Sequence, residues 1–125
     1  MTTVLVVDDE WLIAMALEAA LEDEGYRVLT ATNGRQGLER LAEARADVVL
    51  LDMMMPVMNG PAMFRAMESN PALRDIPVIF LSSLPKETIR EQIGDGALVL
   101  NKPYMVQDVL AAIARALGRD GKAEG

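Results

Sequence analysis

Short apolar runs recur along the chain at Val4–Val7, Val28–Ala31, Val48–Leu51, Val78–Leu81 and Ala97–Leu100. They are rich in Val, Leu and Ile and lack strict polar alternation, as strands buried on both faces of a parallel sheet do. Longer amphipathic stretches separate them. Ile13, Leu17 and Leu21 repeat at i+4 within Leu12–Leu21, and Gly25 stands where that helix should stop. Asn33 is placed to cap a helix over Gly34–Ala44, with Leu38 and Leu41 inward and Arg35–Glu39 as an i,i+4 ion pair. Asn59 can cap a helix from Gly60 to Glu68 that buries Met63, Phe64 and Met67. Pro85 opens a short helix through Ile93, closed by Gly94. Tyr104–Leu117 carries Val106, Val109, Leu110, Ile113 and Leu117 on one stripe before Gly118, and a polar tail follows from 119 to 125.

Five strands alternating with five helices predict an α/β fold, a doubly wound five-stranded parallel sheet over residues 1–118. Such sheets bind ligands outside the carboxyl ends of their strands. Asp8 and Asp9 follow the first run, Asp52 the third, Ser82 the fourth and Lys102 the fifth. One such residue reads as a helix cap; five of them gathered at one sheet edge read as a site.

Composition narrows the chemistry. The 125 residues include no Cys and no His, which removes thiol nucleophiles, thiolate metal sites and the usual general base. A net charge of −7 argues against direct nucleic-acid or membrane binding. No apolar run approaches the ~20 residues of a membrane span. The N-terminus lacks a signal-peptide pattern, so a cytoplasmic location is expected. Two carboxylates ~4 Å apart repel by about 4 kcal/mol at an effective dielectric near 20, so the acidic cluster requires a cation. Lys102 supplies one, and the all-oxygen donor set suits Mg²⁺. A carboxylate beside such an ion can attack phosphorus to form an aspartyl phosphate.

The motifs VLVVDDE (Val4–Glu10), DVVLLDMMMPVMNG (Asp47–Gly60), PVIFLSS (Pro77–Ser83) and NKPY (Asn101–Tyr104) make the chain resemble the receiver domain of two-component response regulators from Thr3 to Leu117. The resemblance implies flavodoxin-like topology with strand order 2-1-3-4-5. It makes Asp52 the phosphoacceptor and a Mg²⁺ ligand, Asp9 a direct ligand, Asp8 a ligand through water and the Met54 carbonyl a further one. Lys102 and Ser82 would contact the phosphoryl oxygens, and the Lys102–Pro103 bond would be cis. The implied partners are a sensor histidine kinase or histidine phosphotransferase and a downstream protein, with the chain a monomer or weak dimer. The domain would catalyse its own modification and would not be a turnover enzyme. With no output domain after 118, a stand-alone receiver is expected.

Two departures alter that expectation. The family's aromatic three residues before the lysine is Val99 here, so the usual hydroxyl–aromatic switch has no ring to move, and Tyr104 is the nearest substitute. The stretch from Ser82 to Lys102 is about two residues short, and its sparse anchors Leu84, Ile89 and Ile93 predict a mobile Leu84–Gly96. Met53, Met54, Met55 and Met58 read as flexible core filling or as a partner surface. Met54, two residues past the acceptor, cannot orient water by hydrogen bonding, which implies a long-lived phosphoryl group. Trp11 reads as packing, Glu10 as a carboxylate at the positive end of a helix. Pro56 and Gly60 read as shaping the loop.

Three rivals remain. A flavodoxin-like cofactor binder needs a phosphate-cradling loop where Asp8, Asp9 and Glu10 stand. A haloacid-dehalogenase-type phosphohydrolase needs a second Asp at Met54. A degenerate receiver would act as a phosphorylation-independent interaction module.

Overall fold

The computed structural model describes residues 1–94 and 98–118. Five strands, β1 (Thr3–Val7), β2 (Arg27–Ala31), β3 (Val48–Asp52), β4 (Val78–Ser82) and β5 (Leu98–Asn101), alternate with α1 (Trp11–Asp23), α2 (Gly34–Glu43), α3 (Gly60–Glu68), α4 (Lys86–Ile93) and α5 (Val106–Ala116). All pairings are parallel and the order is β2-β1-β3-β4-β5, as expected. The expected start of the last strand at Ala97, the Asp95–Gly96 turn and the tail 119–125 lie outside the described residues.

Alternate side chains of the central strands feed two cores. Leu5, Val7, Val49, Leu51 and Phe80 meet Leu41 of α2, Met63 and Met67 of α3 and Ile89 of α4. Val4, Val6, Val48, Leu50, Ile79 and Leu81 meet Ala14, Leu17 and Leu21 of α1 and Val109 and Ile113 of α5. The continuous apolar runs thus reflect a sheet covered on both sides. Phe64 meets Phe80 edge to face, with ring centroids 5.2 Å apart.

The caps form as expected: Asn33 accepts from the Gln36 N–H and Asn59 from the Ala62 N–H. The Arg35–Glu39 pair forms at 3.9 Å on an exposed surface. Pro85 caps α4, and Gly94 ends it with φ +86°. Ile89 is buried, with Leu84 and Ile93 half-buried against the first core.

Three expectations are corrected. The last helix begins at Val106 rather than Tyr104, because Met105 is its extended N-cap residue and donates its N–H to the Asp108 carboxylate at 3.0 Å. Val106 consequently sits in the first turn, exposed and off the buried stripe. Trp11 opens α1 but is 61% exposed, so it does not pack into the core. Of the methionines, Met53 and Met55 fill the core, whereas Met54 is 67% exposed.

The β3–α3 loop contains one backbone conformation that the sequence concealed. Val57 has φ +68°, a left-handed conformation that costs a β-branched residue about 1–2 kcal/mol. Its side chain is exposed and gains no packing in return. Val57→Asn should therefore raise stability by about 1 kcal/mol, since Asn tolerates this region. Urea unfolding with an unchanged m-value checks it, and a lower midpoint would refute it.

Candidate functional site

The carboxyl ends of β1, β3, β4 and β5 deliver Asp8, Asp52, Ser82 and Lys102 to one edge of the sheet, with Asp9 and Glu10 in the β1–α1 turn. Asp9, Glu10, Asp52, Ser82 and Lys102 line a cleft of about 260 Å³ together with Met53, Met54, Ser83 and Leu84. One carboxylate oxygen from each of Asp8, Asp9 and Asp52 lies within 4.8 Å of the other two. Lys102 Nζ stands 3.5 Å from Asp52 Oδ1 and 3.8 Å from Asp8 Oδ2. All five residues expected at the site converge there.

Asp8 is the deepest of them and fully buried. Its Oδ1 accepts the Glu10 N–H at 2.9 Å, while its Oδ2 has no hydrogen-bond partner among the described residues. Burial pushes the Asp8 carboxyl above its ordinary range, against the opposing pull of the Glu10 N–H and Lys102. Asp52 is pushed up to about 6, by burial first and then by the charge of Asp8, with Lys102 acting against both. Burial alone would lower the Lys102 pKa, but Asp8, Asp52 and Glu10 outweigh it and hold the ammonium above its usual value. The cleft is therefore short of positive charge. An orphaned buried carboxylate oxygen inside an all-oxygen cluster fits a hard divalent cation such as Mg²⁺.

The loop after β3 is fixed from beneath. Gly60 is buried, its N–H donates to the Met53 carbonyl at 3.0 Å, and a Cβ there would collide with the Asp52 carbonyl oxygen. Gly60 shapes this loop by close approach, and the Pro56 carbonyl accepts the Met58 N–H at 2.7 Å. Ser82 is buried, and its hydroxyl accepts the Leu84 N–H at 2.9 Å.

The Lys102–Pro103 bond is cis. Tyr104 follows it half-buried, with its hydroxyl buried and without a hydrogen-bond partner among the described residues. Burial, and then the charges of Asp8, Asp52 and Glu10, push its pKa up to about 12. Val99 is half-buried against the first core, beside Phe80 of β4.

Sequence reasoning missed the second role of Glu10. It stands at the N-terminal end of α1 as expected, but its carboxylate also reaches Lys102 at 3.6 Å. The run of three acids ending at the helix start was the available signal, since the turn folds the third acid back beside the first.

Fold and cleft together define a doubly wound α/β domain with a lysine-flanked carboxylate cluster at the carboxyl edge of its sheet. The chain belongs to the response regulator receiver domain family, whose model matches residues 4–114. It is 36% identical over 121 residues to the uncharacterized transcriptional regulatory protein YkoG of Bacillus subtilis, covering 94% of this chain and 52% of that protein. The chain thus spans about half the length of the relatives it matches. Among solved structures, the receiver domain of a signal transduction histidine kinase from Syntrophus aciditrophicus superposes with a TM-score of 0.86 at 31% identity, over 94% of this chain and 91% of that one. The receiver domain of sensor histidine kinase PA1611 from Pseudomonas aeruginosa superposes at 0.84 with 26% identity, over 94% and 98%. That protein holds a magnesium ion in its active-site cleft. Among the described residues no helix is long and apolar enough to cross a membrane.

Proposed function

We propose that this receiver accepts a phosphoryl group on Asp52 in a Mg²⁺-dependent reaction with a phosphohistidine of a sensor histidine kinase or histidine phosphotransferase. The observation that carries this reading is the convergence of the Asp8, Asp9 and Asp52 oxygens beside Lys102. Asp9, Asp52 and the Met54 carbonyl would hold the ion directly and Asp8 through water. The ion would supply positive charge for the phosphoryl oxygens and the nucleophile. An Asp52 carboxylate oxygen bonds to phosphorus as the P–N bond of the donor breaks, and the leaving imidazole nitrogen takes a proton from solvent. Lys102 donates to one equatorial oxygen as charge develops. Ser82, whose hydroxyl accepts from Leu84, keeps its own proton to donate to another.

The domain then modifies itself without turning over a substrate. Its phosphorylated form shifts a conformational equilibrium that a downstream protein reads in the cytoplasm, the chain acting as a monomer or weak dimer without touching nucleic acid. With Val99 at the usual aromatic position, Tyr104 and its unpartnered hydroxyl are the substitute relay.

Intact mass after incubation with a small-molecule phosphodonor tests the proposal. One added phosphoryl group that requires Mg²⁺ supports it; if no adduct forms despite Mg²⁺ binding, a stable beryllofluoride complex identifies a very short-lived phosphate and its absence selects the phosphorylation-independent module. The exposed thioether of Met54 lines the cleft and cannot align an attacking water. Met54→Asn is expected to shorten the phosphoryl lifetime by roughly two- to tenfold, within the ~1 kcal/mol of one added hydrogen bond. An unchanged dephosphorylation rate would remove Met54 from the account.

A further inference from the structure

Glu10 touches both the deepest carboxylate of the cleft and its cation. Its N–H donates to Asp8 Oδ1 at 2.9 Å, and its Oε1 lies 3.6 Å from Lys102 Nζ. Although Glu10 caps α1, its side chain makes no capping hydrogen bond, so the carboxylate is not occupied at the helix end. That side chain is 61% exposed, against 0% for Asp8 and 8% for Asp52, which places the third partner of Lys102 on the solvent side. Lysine is a compact charge on a flexible stem, so its resting position follows the balance of charges around it. With Asp8 and Asp52 alone, the ammonium would settle on the oxygens that a divalent cation needs.

We propose that Glu10 is a positioning residue, whose carboxylate at 3.6 Å shares the Lys102 ammonium with Asp52 at 3.5 Å and Asp8 at 3.8 Å and so loosens its hold on the oxygens that a divalent cation needs. The inference rests on reading the cluster as a Mg²⁺-dependent phosphoacceptor site. It makes Glu10 part of the machinery through Lys102, without contact to phosphorus.

The test compares Glu10→Gln with Glu10→Asp in the full chain. Glu10→Asp keeps the charge but is one methylene too short to hold Lys102 in place. Mg²⁺ titration by calorimetry, with Trp11 fluorescence as a second probe, should show both variants binding about threefold more weakly, the scale of one exposed ion pair. In metal-free protein, the side-chain nitrogen resonance of Lys102 should move in both variants. A Glu10→Asp protein with wild-type Mg²⁺ affinity and an unmoved lysine resonance would reduce Glu10 to a general field effect and overturn the proposal. Wild-type behaviour of Glu10→Gln would overturn it too. Wild-type protein carried alongside separates the two readings. If it takes neither a phosphoryl group nor beryllofluoride, the phosphoacceptor reading fails, while the lysine resonance in the metal-free variants still decides the position of Lys102.

Discussion

Asp52→Asn is expected to abolish the phosphoryl adduct and, in metal-free protein at neutral pH, to raise the melting temperature. The first effect would follow from removing the carboxylate proposed as the nucleophile. The second follows from the cost of keeping that carboxylate charged in the fold. Asp52 titrates near 6 in the folded chain, against 3.8 for an ordinary aspartate, because it is buried beside Asp8. Below pH ~4 the carboxyl is protonated in both states and carries no penalty. Between ~4 and ~6 the unfolded chain releases the proton first, so folded stability falls as pH rises; above ~6 the loss is complete, at about 3 kcal/mol. Asparagine has nearly the same shape and no charge to desolvate. It should recover about 1–3 kcal/mol at pH 7.5, or roughly 5–10 °C, with a much smaller gain at pH 4. Mg²⁺ should stabilise the wild type more than the variant, since binding the native state alone raises stability by mass action. Equal melting temperatures for the two proteins at pH 7.5 in chelator would show that Asp52 is not held under electrostatic strain.

Gly60→Ala is expected to be severe for a different reason. The added Cβ has no room: it would overlap the Asp52 carbonyl oxygen and stand 3.0 Å from the Met53 Cα, both rigid backbone atoms. Relief requires moving either the end of β3 or the start of α3, where Asn59 caps the helix and Gly60 bonds to Met53. The cost should reach about 3 kcal/mol, the upper range for overpacking a fixed site, and Mg²⁺ affinity should fall as the Asp52 backbone shifts. Gly25→Ala is the contrasting control. Gly25 has φ +92° and open space where the alanine methyl would stand, with nothing within 4 Å, so only the conformational penalty of about 1 kcal/mol applies. Equal destabilisation in the two variants would mean that the loop beneath Asp52 yields freely.

The sequence alone determined the strand and helix order, because its signals are local. Burial on both faces leaves continuous apolar runs such as Val4–Val7 and Val48–Leu51, and Asn33 and Asn59 cap helices through bonds only three residues long. It also determined which groups meet at the sheet edge, because a parallel doubly wound sheet places the end of every strand on the same side. Asp8, Asp52, Ser82 and Lys102 needed no more than their positions after the runs to be found.

Only the tertiary structure decided how those groups share charge. The reach of Glu10 to Lys102, the orphaned Oδ2 of Asp8 and the contact of Gly60 with Asp52 join residues whose relation depends on how turns fold over the sheet edge. The same holds for apolar residues at element boundaries. Trp11, Met54 and Val106 are hydrophobic in sequence and exposed in the fold, because a first-turn or loop residue has no neighbouring element obliged to cover it. Hydrophobic periodicity reports the face that a regular element buries. It carries no information where the period ends, and the electrostatics of this cleft are assembled at those ends.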